Sequence, residues 1–452
     1  MRRLGVLALP LVAAAVVVIG TWSPQPAAEG PRAPSAVEVR QSSYACATGG
    51  GRVVAAGQAA AGTKVRATVL PDQAVSELGD ASRWRTAEPA GDSVVVQQEG
   101  RGSGAVGYSS RVADGDGDGL AVAACPRSLD EGWYVGAGSG GKHFSTLELT
   151  NLADVPAVAD VSLWGTDGPV DAVDSDGIVV DPRSTRRIRL DELAAGEREL
   201  AVHVQRRRGA LAVALDDTST AVFAGTEALP STAAPAREVM ISGLPAGSRG
   251  RTLLVVNPGD DTARVRVGAV GSDGSFALDG LDDVKVEAGS VRELTVPRSS
   301  GDEPIALTLT SDHPVTGSVR VAPSDDDYAY GVASAPIDGP ALVPVDLGVK
   351  AGSPTAVLTA DGDATVTMRA FDATMKELAT AELDIPDGTT SAVDLGSADV
   401  LDVGDADVAY VLLEVAGRVR GAVAYSVDDL LATLPLTSAP VSILAPAVRP
   451  VP

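Results

Sequence analysis

Residues 112–122, VADGDGDGLAV, set three aspartates at alternate positions, Asp114, Asp116 and Asp118, before a glycine. Carboxylates in that pattern open a calcium loop, which also needs a bidentate acid at its twelfth position. Counted from Asp114, that position is Cys125, and the flanks alternate like strands rather than helices. Asp and Gly suit tight turns on their own account. The expectation is a turn without metal, with Asp114, Asp116 and Asp118 as the only weak candidate ligands. A second chemical signature, GAGSGG, fits G-x-G-x-x-G through Gly136, Gly138 and Gly141. A dinucleotide fingerprint must open a helix, whereas KHFSTLELT continues it as a strand, so a loop without cofactor is expected.

Histidines 143, 203 and 313 stand far apart with no metal-ligand spacing, and His203 alternates within LAVHVQ like a strand-face residue. Neither G-x-S-x-G nor H-E-x-x-H occurs, so the nucleophile elbow and the zinc helix are missing. Carboxylates are abundant enough for a glycosidase pair, but they cluster in turns. Aromatics are only 3% of the chain, which leaves little surface on which a sugar could stack. One basic cluster stands out: Arg183, Arg186, Arg187 and Arg189, with Arg206, Arg207 and Arg208. Guanidinium forks suit phosphate and carboxylate, which makes these arginines a candidate patch for anionic wall polymer or lipid headgroups. The plainer reading pairs them with Asp191, Glu192, Glu197 and Glu199.

The elements that carry these residues are strands. FSTLELTNLADVPAVADVSLWGTDG (144–168) matches RTLLVVNPGDDTARVRVGAVGSDG (251–274), and TAVLTADGDATVTMRAFDA (355–373) fits the same template with Ala360 where Asn151 and Asn257 stand. A fainter copy is RVVAAGQAAAGTKVRATVL (52–70). Each copy reads as alternating strand, polar turn, alternating strand. Later strands led by Gly104, Gly209, Gly317 and Gly421 recur at about 105 residues, and an acidic turn follows each. That period suits an immunoglobulin-like or fibronectin-like β-sandwich of about seven strands; a closed β-propeller is the alternative. The expected division is an anchor or signal segment over 1–22, a linker over 23–40, and β-units over 41–126, 127–235, 236–338 and 339–452.

Charge and cysteines bound the setting. The formal net charge is -24. Residues 1–125 balance eleven basic against eleven acidic side chains, so the excess lies in the distal part, whose field opposes nucleic acid. Behind Arg2 and Arg3, residues 4–28 carry no charge. Leu4–Trp22 as a helix would span about 28 Å, close to the thickness of a bilayer core. Basic residues before it predict the N-terminus inside and the bulk of the chain outside; the alternative is a cleaved signal and secretion. Two cysteines, Cys46 and Cys125, bracket the first unit, and in an oxidising compartment they are expected to bond.

The charge-free segment, the cysteine pair, GWYVGAGSGGKHFSTLELTN after CPRSLD, and the repeated N-x-x-x-x-x-A-x-V strands resemble an actinobacterial family of exported, membrane-associated β-repeat proteins, a domain of unknown function. The resemblance implies an envelope protein of a high-GC Gram-positive bacterium, associated with neighbours in envelope glycan assembly, and carries over no catalytic residue. The expectation is a non-catalytic, membrane-anchored extracytoplasmic scaffold, with an envelope protein as partner and no cofactor. A binding module for anionic wall polymer is the alternative, and a glycan hydrolase the weaker one.

Overall fold

The computed structural model describes residues 35–38, 41–47, 52–58, 64–70, 74–80, 85–87, 93–99, 104–113, 119–220, 224–300, 302–324, 327–347, 353–397, 400–404, 406–438 and 442–445. The segment read as an anchor or signal, residues 1–22, and the aspartates 114, 116 and 118 lie outside these. No helix among the described residues is long and apolar enough to cross a membrane. Two compact units are present, one of residues 1–38 and 442–452, the other of residues 39–441. In the first, strand β1 (Ser35–Glu38) pairs antiparallel with β35 (Ser442–Ala445). Those residues of β1 fall at the end of the stretch read as linker.

Residues 39–441 fold as four pairs of open antiparallel sheets in one recurring order. The first pair contains β2 (Gln41–Ala47), β3 (Arg52–Gln58), β4 (Lys64–Leu70), β5 (Ala74–Asp80), β6 (Arg85–Ala87), β7 (Ser93–Glu99), β8 (Gly104–Ala113) and β9 (Gly119–Ala124). Its sheets run β2-β7-β4-β5 and β6-β3-β8-β9. The second contains β10 (Glu131–Ala137), β11 (His143–Asn151), β12 (Ala157–Gly165), β13 (Gly168–Val170), β14 (Ile178–Val180), β15 (Thr185–Arg189), β16 (Leu200–Arg208), β17 (Leu211–Ser219) and β18 (Gly225–Ala228), with one short helix, α1 (Leu190–Leu193). Its sheets run β10-β16-β12-β13, with β14 also on β12, and β15-β11-β17-β18.

The third pair contains β19 (Ala236–Leu244), β20 (Gly250–Asn257), β21 (Ala263–Gly271), β22 (Gly274–Ala277), β23 (Val284–Val286), β24 (Ser290–Thr295), β25 (Ile305–Ala322) and β26 (Ala329–Val332). Here one long strand does the work of two: β25 pairs with β19 and β21 through its first half and with β20 and β26 through its second. The fourth contains β27 (Ala341–Pro344), β28 (Thr355–Ala360), β29 (Ala364–Phe371), β30 (Glu377–Ile385), β31 (Thr390–Asp394), β32 (Tyr410–Ala416), β33 (Val419–Val427) and β34 (Leu430–Pro435), in the orders β27-β32-β29-β30 and β31-β28-β33-β34. Each repeat divides its strands between two sheets, as in β2-β7-β4-β5 and β6-β3-β8-β9, where a propeller blade would be a single sheet of consecutive strands, so the propeller alternative is not what forms among the described residues.

The strand order differs from that of an immunoglobulin constant domain, where the first strand flanks the second and the last flanks the sixth. Here the first strand of each pair flanks the sixth, and the seventh flanks the second. Alternating side chains from both sheets fill each core. In the second pair Leu147 and Leu149 of β11 meet Val161 of β12, Val202 of β16 and Val213 of β17. Small aliphatic residues suffice because the facing sheets are only about 10 Å apart.

The glycines of the repeat have two different roles. Gly317 and Gly421 are equivalent strand residues, and a Cβ on either would lie 2.4 Å from a carbonyl oxygen, that of Leu254 or Val357. Gly209 matches Gly417 instead. Both are turn residues at positive φ, 86° and 124°, pressed on Ala157 and Ala364. In the second pair the position equivalent to Gly317 is Val213, opposite Leu149 in β11.

The four pairs form a closed ring. Ala45 and Val95 of the first meet Leu152 and Ala212 of the second. Val135 and Ala201 of the second meet Leu254 and Val256 of the third. Ala424 and Leu431 of the fourth enter the core of the third. Tyr108, Leu120 and Val122 of the first enter the core of the fourth.

Candidate functional site

The densest set of buried polar side chains lies where the second and third sheet pairs meet. Strand alternation puts His143 and Ser145 of β11 opposite Ser219 and Asp217 of β17. Asp217 is fully buried. It accepts from His143 Nε2 at 3.0 Å, from Ser145 Oγ at 2.5 Å, and from the hydroxyls of Tyr328 and Tyr330 at 2.8 and 2.9 Å. The other imidazole nitrogen, Nδ1, lies 2.8 Å from the carbonyl oxygen of Arg198. Both ring nitrogens face acceptors, which requires the doubly protonated imidazolium. Burial would lower the His143 pKa, but the Asp217 carboxylate reverses this and holds it above its ordinary value. Burial likewise pushes Asp217 up, and His143 and Arg320 override it and hold the carboxyl below its usual range.

Arg320 of β25 extends the network. Its guanidinium forks onto Glu199 at 3.0 and 2.9 Å and donates to the Tyr330 hydroxyl. The Gly136 carbonyl oxygen lies 2.8 Å from the same hydroxyl and shares its single proton with Asp217. Serine, histidine and aspartate are all present, but not as a triad: Ser145 donates to the aspartate, and the imidazole is already bonded on both sides. In a triad the histidine must face the hydroxyl as its base. These groups clamp two sheet pairs together.

Next to this clamp the four edge strands β9, β18, β26 and β34 converge. Glu227 of β18 lies opposite Asp217 in register, and Asp327 directly precedes Tyr328. Glu227 accepts from the Ala228 amide at 2.8 Å, and Asp327 accepts from the Leu431 amide at 2.5 Å. The second oxygen of each, Glu227 Oε2 and Asp327 Oδ1, is buried without a hydrogen-bond partner. Burial pushes Glu227 well above the usual carboxylate range, with the nearby Asp327 adding to it. Burial raises Asp327 to about 7.

Cys46 and Cys125 are bonded, closing 79 residues of chain. Gly136, Gly138 and Gly141 do lead into strand β11 rather than a helix. Within that stretch Ser139 and Lys142 have the S-x-x-K spacing, which would align them on a helix. Here they span a turn, with Ser139 buried, its Oγ accepting from the Glu197 amide at 3.1 Å, and Lys142 exposed. His203 stacks on Trp133 at 4.2 Å and meets Glu131 at 3.0 Å. His313 sits in the bend of β25, away from both. Among the described residues no group of three or more His, Cys, Asp or Glu side chains could hold a metal ion.

The candidate arginines divide between two sheets. Arg186, Arg187 and Arg189 lie on β15, and Arg206, Arg207 and Arg208 on β16, which belongs to the facing sheet. Arg183 pairs with Asp154, Arg187 with Glu148, Arg189 with Asp191, Arg206 with Asp130 and Arg207 with Asp160. Arg186 donates to the Val179 carbonyl. Of the acids expected beside them, Asp191 pairs with Arg189 and Glu192 adds its charge there, whereas Glu199 holds Arg320. The clamp itself was not singled out from the sequence. Its one signal is the Asp216-Asp217 turn-like pair, which in fact lies inside β17.

Neither a curated protein nor a solved structure matches the chain. A family of unknown function, DUF5719, matches residues 80–396. The match takes in the clamp, the edge strands β9, β18 and β26, the whole second and third sheet pairs and parts of the first and fourth, and with it the chain belongs to that family.

Proposed function

We propose that this protein is a non-catalytic scaffold of the bacterial cell envelope, tethered to the membrane by residues 1–22 with the remainder outside. The observation that carries the scaffold reading is that each junction of the ring is tied by hydrogen bonds as well as apolar contact. Ser93 meets Thr185 at 2.6 Å between the first and second pairs. Ser318 donates to the Val135 carbonyl at 2.5 Å between second and third. Thr433 donates to the Tyr330 carbonyl at 2.6 Å between third and fourth, and Ser110 to the Leu347 carbonyl at 2.8 Å between first and fourth. A body locked in this way holds its surfaces at fixed separation. The likeness of the units to fibronectin-like or immunoglobulin-like sandwiches belongs to the same proposal and rests on their two facing antiparallel sheets, not on strand order. Support for the tether is the run of uncharged residues behind Arg2 and Arg3.

Fractionation and purification test both parts. The native protein is expected in the membrane fraction, resistant to high salt, with its N-terminus at Met1 or Arg2. In mild detergent it should copurify at fixed stoichiometry with one envelope protein. A mature chain starting between residues 21 and 40 and free in the medium overturns the tether. Retention on purified wall polymer without a protein partner overturns the scaffold in favour of a binding module.

A further inference from the structure

A cavity of about 440 Å³ opens where the first, second and fourth sheet pairs meet, well within the size range of small-molecule sites. Its wall is mainly carbon: alanine, valine and leucine side chains, tyrosine rings, and the sulfur of the bonded Cys125. The charged residues on it are Arg111, Arg127 and Asp216, a net positive lining in a chain whose formal charge is -24. Arg111 is the polar anchor. Its Nη1 stands 3.7 Å from Asp216, an ion pair too long for a hydrogen bond. Its Nε is buried and donates to nothing in the protein. A guanidinium has five donors in a planar fork that matches a carboxylate or phosphate. An N–H held out of water without an acceptor beside an apolar hollow is what a bound anionic headgroup would satisfy.

We infer that this cavity binds an anionic amphiphile, its headgroup on Arg111 and its hydrocarbon part against the alanine-rich wall. Neither half of such a ligand suffices. A small anion leaves the apolar wall wet, and an uncharged chain leaves the Arg111 donor unmet. The ligand's contacts with Leu434 and Ser438 of the fourth pair and Leu229 of the second would couple binding to the closed ring.

Calorimetric titration of the purified full chain with dodecanoate, below its micelle concentration, tests this. Dodecyltrimethylammonium and acetate serve as the mismatched head and the head alone. Dodecanoate is expected to bind with one-to-one stoichiometry, and the other two at least tenfold more weakly. Arg111→Gln removes the guanidinium and should weaken dodecanoate at least tenfold. Ala214→Leu, which adds carbon from β17 into the cavity, should do the same by occupying the space. Absence of dodecanoate binding to the unaltered chain overturns the inference without recourse to a variant. Equal binding of the ammonium amphiphile, or undiminished binding to both variants, overturns it too, because the ligand would then be held elsewhere.

Discussion

Asp327 and Asp217 are both buried aspartates, yet their surroundings drive them in opposite directions. Burial raises Asp327 to about 7 from its ordinary 3.8, against the opposing pull of the Leu431 and Tyr328 amides. A carboxyl with a raised folded-state pKa favours folding while protonated. Its contribution is therefore full below about pH 4 and is lost as pH rises toward 7, with about 4 kcal/mol at stake for a shift of this size. Asp327→Asn keeps the acceptor for the Leu431 amide and removes the ionisation. Urea unfolding should find the variant more stable than the parent at pH 8 by a few kcal/mol, with a smaller gap at pH 5. Asp217 is the reverse case. Its pKa is depressed, so its contribution holds above pH 4 and disappears in acid. His143, raised by Asp217, keeps its share below its ordinary 6.5 and loses it as pH climbs through the folded value. Asp217→Asn leaves a buried imidazolium without its counter-ion, and unfolding at pH 6 should register a loss of about 3–5 kcal/mol.

At the scale of the strand pair, Asn151 and Asn257 repeat one device. Each side-chain amide nitrogen shares its two hydrogens among three carbonyls, those of Val155, Val180 and Asp181 for Asn151 and of Asp261, Val286 and Glu287 for Asn257. Each side-chain oxygen accepts an amide two residues on, Ala153 or Gly259. The asparagine thus fastens the turn after one strand to the strand facing it. The fourth pair, with Ala360, uses acids instead: Asp387 accepts from the Gly362 amide at 2.7 Å and Asp363 accepts from the Asp387 amide at 3.0 Å. Asn257→Ala strands buried carbonyls and should cost about 1–3 kcal/mol in denaturant unfolding. Asp387→Ala, on an exposed turn, should cost less.

Across the whole ring, the shared cores imply that no sheet pair can open alone without exposing its neighbour's apolar surface. Tyr108 of the first pair, inserted in the fourth pair's core, donates to the Leu342 carbonyl. Calorimetry of residues 39–441 should therefore record one cooperative transition, with van't Hoff and calorimetric enthalpies in agreement, in place of separate steps for each pair. Reducing Cys46–Cys125 should lower the stability of that single transition by about 4–5 kcal/mol on the chain-entropy picture. An independent early transition of the first pair alone would show that its contacts with the second and fourth pairs do not couple.

Strand character was legible in single residues. Alternation in FSTLELTN and RTLLVVN, the shared Asn151 and Asn257, and the two bracketing cysteines all act through neighbours close in sequence or through a pairing with no competitor. Strand order was not legible, because alternation tells which face a side chain takes and nothing of which strand lies beside it; hence the first and seventh strands lie in sheets that periodicity could not assign. Gly209 was aligned with Gly317 because both are glycines before apolar runs, and only the backbone distinguishes a turn at positive φ from a close approach of two chains. The clamp of His143, Asp217, Arg320 and Glu199, the convergence of Glu227 with Asp327, and the cavity beside Arg111 draw on residues roughly a hundred positions apart. Composition and local pattern determined an all-β chain of repeating units with a bridge around the first. The closure of those units into a ring, and with it the clamp on Asp217, the convergence of Glu227 with Asp327 and the cavity beside Arg111, was decided by tertiary packing, because burial and charge pairing exist only once distant strands meet.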